Sequence, residues 1–171
     1  MEDEHTIYPD NKWGGRLAAR YLLSKGCTHP LYIAVDPPAQ ANTDRYEGFV
    51  SELSAAGVIE VETVSCIMDE EIAYALGTRI AAQDRHDGLF CYCDDIAAGC
   101  IRAIREVGSS MRVIGFDGVR ATGYLGLSTV SQEPARIGTK AATLIVQIME
   151  AEADPPLHIE CFQPVLIDRD S

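Results

Sequence analysis

The chain has 171 residues, 47% hydrophobic and 23% charged, which is enough for one ordinary domain and too apolar for a disordered one. Its 26 acidic residues against 14 basic ones give a formal charge of −12, and no basic run occurs, which excludes nucleic-acid binding through its own surface. The first ten residues are acidic and polar and no apolar stretch approaches a membrane span, so a cytoplasmic protein without membrane contact is expected.

Residues 1 to 9 carry no periodicity. Asp10 and Asn11 can cap a helix over about Lys12 to Lys25, with Leu17, Tyr21 and Leu22 on one face and Gly26 as its stop. A strand follows over Leu31 to Val35, then a loop from Asp36 to Asn42 with two prolines. Asp44 opens a second helix, buried through Tyr46, Phe49, Val50 and Leu53 and ended by Gly57. Val61 to Ile67 is a second strand, and Asp69 starts a third helix with Ile72, Leu76 and Ile80 inward. Leu89 to Tyr92 is a short apolar run, suited to a strand covered on both faces. Asp94 and Asp95 offer an N-cap and an acidic first turn, and Ile96, Ala97, Cys100, Ile101 and Ile104 form the stripe of the helix behind them. Arg112 to Phe116 is the next strand, ending in Asp117. Leu127 to Val130 is another. Pro134 fits the first turn of a last helix to about Ala151, which Pro155 and Pro156 close. Cys161 to Ile167 is a final strand, placed at an edge or crossover by Pro164.

This alternation predicts an α/β fold with a mainly parallel, doubly wound sheet and helices on both faces. In such sheets ligands bind beyond the carboxyl ends of the strands, which is where Asp94 and Asp117 fall. Arg45, near the start of a helix that follows a strand, should reach the same rim. It is either a surface ion pair with Asp44 or Glu47, or a guanidinium for ligand hydroxyls or for a carboxylate such as Asp117. Catalysis is not expected, because no G-x-S-x-G and no neighbouring histidine accompanies the carboxylates. A phosphate loop and zinc-type C-x-x-C spacing are also missing, so no cofactor or metal is expected and the six cysteines read as reduced, mostly buried thiols.

Several segments, in order, resemble the effector-binding core of the LacI/GalR family of bacterial transcription regulators. They are DNKWGGRLAARYLLSKG with GCTHPLYIA, DRYEGF with ELSAAG, FCYCDDIAAGCIRAIREVG, VIGFDG, LSTVSQEPARIGTKAATLIV and VLIDRDS. The resemblance covers nearly everything after residue 8 and implies a periplasmic-binding-protein-like fold of type I. It implies that 1–28 is a remnant of an N-terminal subdomain, 29–131 a C-terminal effector-binding subdomain, 132–152 a crossover helix of the N-terminal subdomain and 153–171 a terminal strand segment.

By the same resemblance Arg45 and Asp117 hold the effector and Asp94 matches the Asp of an N-D pair. Met68 falls near a ligand-stacking position, and Gln132 lies on a crossover strand by the cleft. Cys93 stands where the family has Asn, which removes an amide from the site. The partners implied are a small, sugar-like effector and a second copy of the chain, with DNA contacted only through a headpiece this chain lacks. Replacing Arg45 by Ala is expected to weaken effector binding and leave folding intact. The alternatives are a transport-type sugar-binding protein of the same fold, an enzyme on a flavodoxin-like sheet and a ligand-free dimerisation module. The apolar stripes of the first and last helices (Leu17, Tyr21 and Leu22; Ile137, Leu144 and Ile148) are expected to lack their sheet and to pack on each other or on a second chain.

Overall fold

The computed structural model describes residues 4–151, 156–169 and 171, so Pro155 lies outside the described residues. The elements run β1 (Thr6–Pro9), α1 (Asn11–Ser24), β2 (Pro30–Val35), α2 (Gln40–Ala55), β3 (Glu62–Cys66), α3 (Glu70–Gln83), β4 (Gly88–Cys91), α4 (Asp94–Glu106) and β5 (Arg112–Asp117). A 3-10 turn (Arg120–Leu125), β6 (Ser128–Ser131), α5 (Pro134–Glu150), β7 (Ile159–Phe162) and β8 (Val165–Ile167) complete the chain.

Six strands form the main sheet in the order β3-β2-β4-β5-β6-β8. All neighbours are parallel except β8, which returns antiparallel along β6. Strand side chains alternate between two cores. Leu31, Ile33, Leu89 and Val113 face Leu76, Ile80, Ile96 and Ile104 of α3 and α4. Tyr32, Phe90, Ile114 and Phe116 face Tyr21, Leu22, Phe49 and Leu53 of α1 and α2. The doubly wound expectation therefore holds, with a helix pair on each face.

Helix starts follow local chemistry. The Asp10 carboxylate accepts from the Trp13 amide at 2.8 Å, and Asp69 accepts from the Glu71 and Ile72 amides at 3.0 and 2.9 Å. Two boundaries and one buried face differ from the sequence reading. Helix α2 begins at Gln40, so Arg45 lies in its second turn. Ile72 is 47% exposed while Ala73 is buried, because α3 and α4 meet on small residues. A Cβ on Gly99 would stand 2.2 Å from the Glu70 carbonyl oxygen. The final apolar run is two strands that part at Gln163–Pro164: β7 pairs with β1 and β8 joins the main sheet.

The stripe of α1 has its sheet, contrary to the expectation that it would pack on the last helix or a second chain. Tyr21 and Leu22 are buried against the main sheet, and α1 packs tightly beside α2. The helix of residues 1–28 is thus part of the same layered body as residues 29–131. Only β1 leaves it, to form a two-stranded parallel sheet with β7. Helix α5 packs only lightly on β1, and none of its residues is buried.

Candidate functional site

The carboxyl ends of β4, β5 and β6 converge on one polar cluster. Arg45 reaches it from α2 and is 4% exposed. Its Nε donates to Asn11 Oδ1 at 3.0 Å and its Nη1 to the Tyr92 carbonyl at 2.6 Å. Its Nη2 stands 3.8 Å from Asp117 Oδ1. The guanidinium plane lies over the rings of Phe116, at 3.6 Å, and Tyr92, at 4.4 Å. A buried cation is tolerable only when paired and hydrogen-bonded, and here two carbonyl-type acceptors, a carboxylate and two ring faces supply that. Burial lowers the Arg45 pKa, and the Asp117 charge offsets part of this.

Asp117 ends β5 with its side chain one-third exposed, and its carboxylate accepts from Gln132 Nε2. Burial raises its pKa, while Arg45 and Gln132 pull it back. The structure thus brings together Arg45, Asp117 and Gln132. Cys93 lies beside them, buried at 4% exposure, and burial pushes its thiol up to about 11, so it enters the site as a neutral, poorly nucleophilic group.

Two members of the predicted set sit elsewhere. Met68 follows β3 at the far edge of the rim, 62% exposed, outside the cluster. Asp94 is fully buried beneath the rim and does not cap α4; the cap position is Cys93, with no side-chain capping bond. Two residues were missed. Asn11, read only as a helix-capping residue, is the acceptor that seats Arg45. Tyr92 supplies a carbonyl and a ring face. The signal for both was present in Asp10-Asn11 and in the aromatic end of the β4 run, but the contact spans 34 residues in one case and 47 in the other.

The cluster is flanked by two clefts. One, of about 530 Å³, is lined by Asp117, Gln132, Val119, Pro134 and Ile137. The other, of about 440 Å³, is lined by Tyr8, Asn11, Gln40, Asp44 and Ile159. Both fall within the size range of small-molecule sites. One wall of the first cleft comes from the end of β5 and the loops after β5 and β6, and one wall of the second from the starts of α1 and α2; β1, β7 or α5 form the other. Among the described residues no group of three or more His, Cys, Asp or Glu side chains could hold a metal ion, and no helix is long and apolar enough to cross a membrane.

Residues 19–171 match the periplasmic binding protein-like domain. The HTH-type transcriptional repressor PurR of Pasteurella multocida is 31% identical, over 99% of this chain and 54% of its own length. The ribose operon repressor of Halalkalibacterium halodurans is 27% identical, over 84% of this chain and 45% of its own. The chain spans about half the length of the curated relatives it matches. A LacI family transcriptional regulator from Enterococcus faecium, solved with bound ribose, superposes with a TM-score of 0.86 at 21% identity, covering 96% of this chain and 63% of that one. A probable transcription regulator from Thermus thermophilus gives 0.83 at 26% identity, over 97% and 67%.

Proposed function

The chain belongs to the periplasmic binding protein-like domain family, and from that membership we propose that it is the effector-sensing domain of a LacI-type transcription regulator. The observation that carries the proposal is the Arg45–Asp117–Gln132 cluster at the carboxyl rim of the sheet, opening through Asp117 and Gln132 onto one cleft and bordered at Asn11 by a second, the other walls of the two coming from β1, β7 and α5. We take these last three elements as this chain's share of a second lobe, with 29–131, joined by α1 and β8, as the effector-binding lobe. A small ligand held between the lobes would fix their separation, and a change in that separation is a two-state element a regulator can use.

Asp117 is the principal ligand-facing group. It is an acceptor, its charged form favoured by Arg45 and Gln132 against burial, and it suits a hydroxyl or ring N–H of a sugar or nucleobase. Arg45 shows only a few per cent of its surface and acts chiefly as the seat beneath Asp117. Assembly as a homodimer and DNA contact through a separate headpiece complete the reading. The test is calorimetric titration of the chain with D-ribose, other pentoses and hexoses, polyols and purine bases, in parallel with Asp117→Asn. Saturable binding that weakens at least about tenfold in the variant, with the variant still cooperatively folded at the titration temperature, supports the reading. Binding that is indifferent to Asp117, or no binding by any of these probes, overturns it.

A further inference from the structure

Asp94 is the first residue of α4 and lies just below the cleft, fully buried. Its carboxylate draws donors from two other elements. The Thr129 hydroxyl of β6 donates to Oδ1 at 2.6 Å. The Val119 amide donates to Oδ2 at 2.7 Å, and the Thr122 hydroxyl approaches the same oxygen at 3.4 Å. The Gly118 amide donates to the Thr129 hydroxyl at 3.2 Å, so it is tied to the same carboxylate at one remove. With no exposed surface, the Asp94 carboxylate faces these donors and not the cleft. Space for this arrangement comes from β5, where a Cβ on Gly115 would lie 2.2 Å from Oδ1.

The Asp94 side chain thus holds both residues that follow Asp117, the Val119 amide directly and the Gly118 amide through the Thr129 hydroxyl. Those residues need holding. Asp117 has φ +117° and Gly118 φ +78°, so the chain leaves β5 through two residues of positive φ, one of them not glycine.

We propose that Asp94 is a positioning residue for the ligand site: its buried carboxylate ties down residues 118–122 and so sets the direction in which Asp117 faces the cleft, without itself touching the ligand. This rests on Asp117 being the ligand-facing group. The charged group that faces Asp94 from another element is Asp117 of β5, and Cys93 and Asp95 flank it in the chain. Strand β6, the 3-10 turn and the residue before it present the Thr129 and Thr122 hydroxyls and the Val119 amide. Burial pushes the Asp94 carboxyl up to about 6 against its donors; a local opening of the turn strips those donors from a carboxyl that stays buried against β5, so the ionised form resists this opening, and acidification to pH 5 protonates the group and loosens the turn.

The experiment is amide hydrogen exchange over residues 117–126 from pH 5 to pH 8, on the chain and on Asp94→Asn, with D-ribose and purine-base affinity measured alongside. In the wild type, protection of this turn should fall below about pH 6. In Asp94→Asn it should be about tenfold lower at neutral pH and show no such inflection. Affinity should fall with it. Unchanged protection in the variant overturns the proposal. So does lost affinity with the turn still protected, which would make Asp94 a ligand contact. If Asp94→Asn fails to fold, Thr129→Val removes one donor and must loosen the same residues; full protection there overturns the proposal as well. Exchange does not depend on ligand, so a chain that binds none of the probes refutes the effector reading and leaves this outcome readable.

Discussion

Arg45 and Asp94 are both buried charges, held by different means, and the difference predicts different variants. Arg45 joins α1, β4 and β5 through Asn11, Tyr92 and Asp117. Deleting it leaves a half-buried carboxylate and a carbonyl without their donor. Arg45→Ala should therefore lose about 3 kcal/mol of stability as well as any ligand affinity, which corrects the expectation that folding would be untouched. Urea denaturation measures the first and calorimetry the second. Asp94 carries a linkage sign that can be worked out. Its folded pKa, about 6, lies above the ordinary 3.8, so its contribution to stability is fully present below about pH 4 and is lost as pH rises through 6. The full span is about 3 kcal/mol, from the difference in pKa. Asp94→Asn lacks this slope. The stability gap between variant and wild type, read as urea midpoints from pH 4.5 to pH 7.5, should shift steadily in favour of the variant as pH rises. A pH-independent gap would mean that the donors, rather than burial, govern the group.

Among the elements, the α1–α2 contact places the site. A Cβ on Gly15 would lie 2.0 Å from the Arg45 carbonyl oxygen, and one on Gly48 would lie 2.0 Å from that of Lys12. The two backbones touch, and that closeness lets Arg45 reach Asn11 at the start of α1. Gly48→Ala must push the helices apart, at a cost of about 3 kcal/mol, and should weaken ligand binding although residue 48 is remote from the cleft. Thermal melts with a ligand titration test this. The other end of α1 is fastened differently. The Tyr21 hydroxyl donates to the Ser171 carbonyl and accepts from Ser128 Oγ at 3.0 Å, while Ser171 Oγ donates to the Val113 carbonyl at 2.6 Å. Tyr21→Phe should cost about 1 kcal/mol by urea denaturation and leave the cleft unaffected, since this network lies at the opposite ends of the strands.

On the scale of the molecule the two sheets are unequal. The main sheet has helices on both faces, whereas the β1–β7 pair has only two strands, below the number that usually stands alone. Helix α5 leaves Ile145, Val146 and Met149 at 57%, 51% and 79% exposure, and Tyr8 and Ile159 add to the uncovered apolar surface. A patch of this kind should bind hydrophobic dyes. Ile145→Asp with Met149→Asp should reduce dye fluorescence while moving stability by less than about 0.5 kcal/mol, because these side chains have no core to leave. An unchanged dye signal would place the patch elsewhere.

The sequence by itself determined the architecture. Period-2 and period-3.6 patterns, Asp caps and glycine stops are local signals, and they located nearly every strand and helix of the main sheet to within a few residues. The rim position of Arg45 and Asp117 followed from topology, since loops after parallel strands share one edge, while Gln132 was placed there only by the family resemblance. Tertiary structure decided what is non-local. Strand β1 has no signal of its own, and its pairing with β7 joins residues about 150 positions apart. The partner of the α1 stripe was the main sheet rather than the last helix or a second chain, a matter of which surface it meets rather than of the stripe itself. Asp94 and Asp117 look alike in sequence, two acidic residues at strand ends. Only the fold, by setting Gly115 beneath one and open cleft beside the other, turned one inward and left the other facing out.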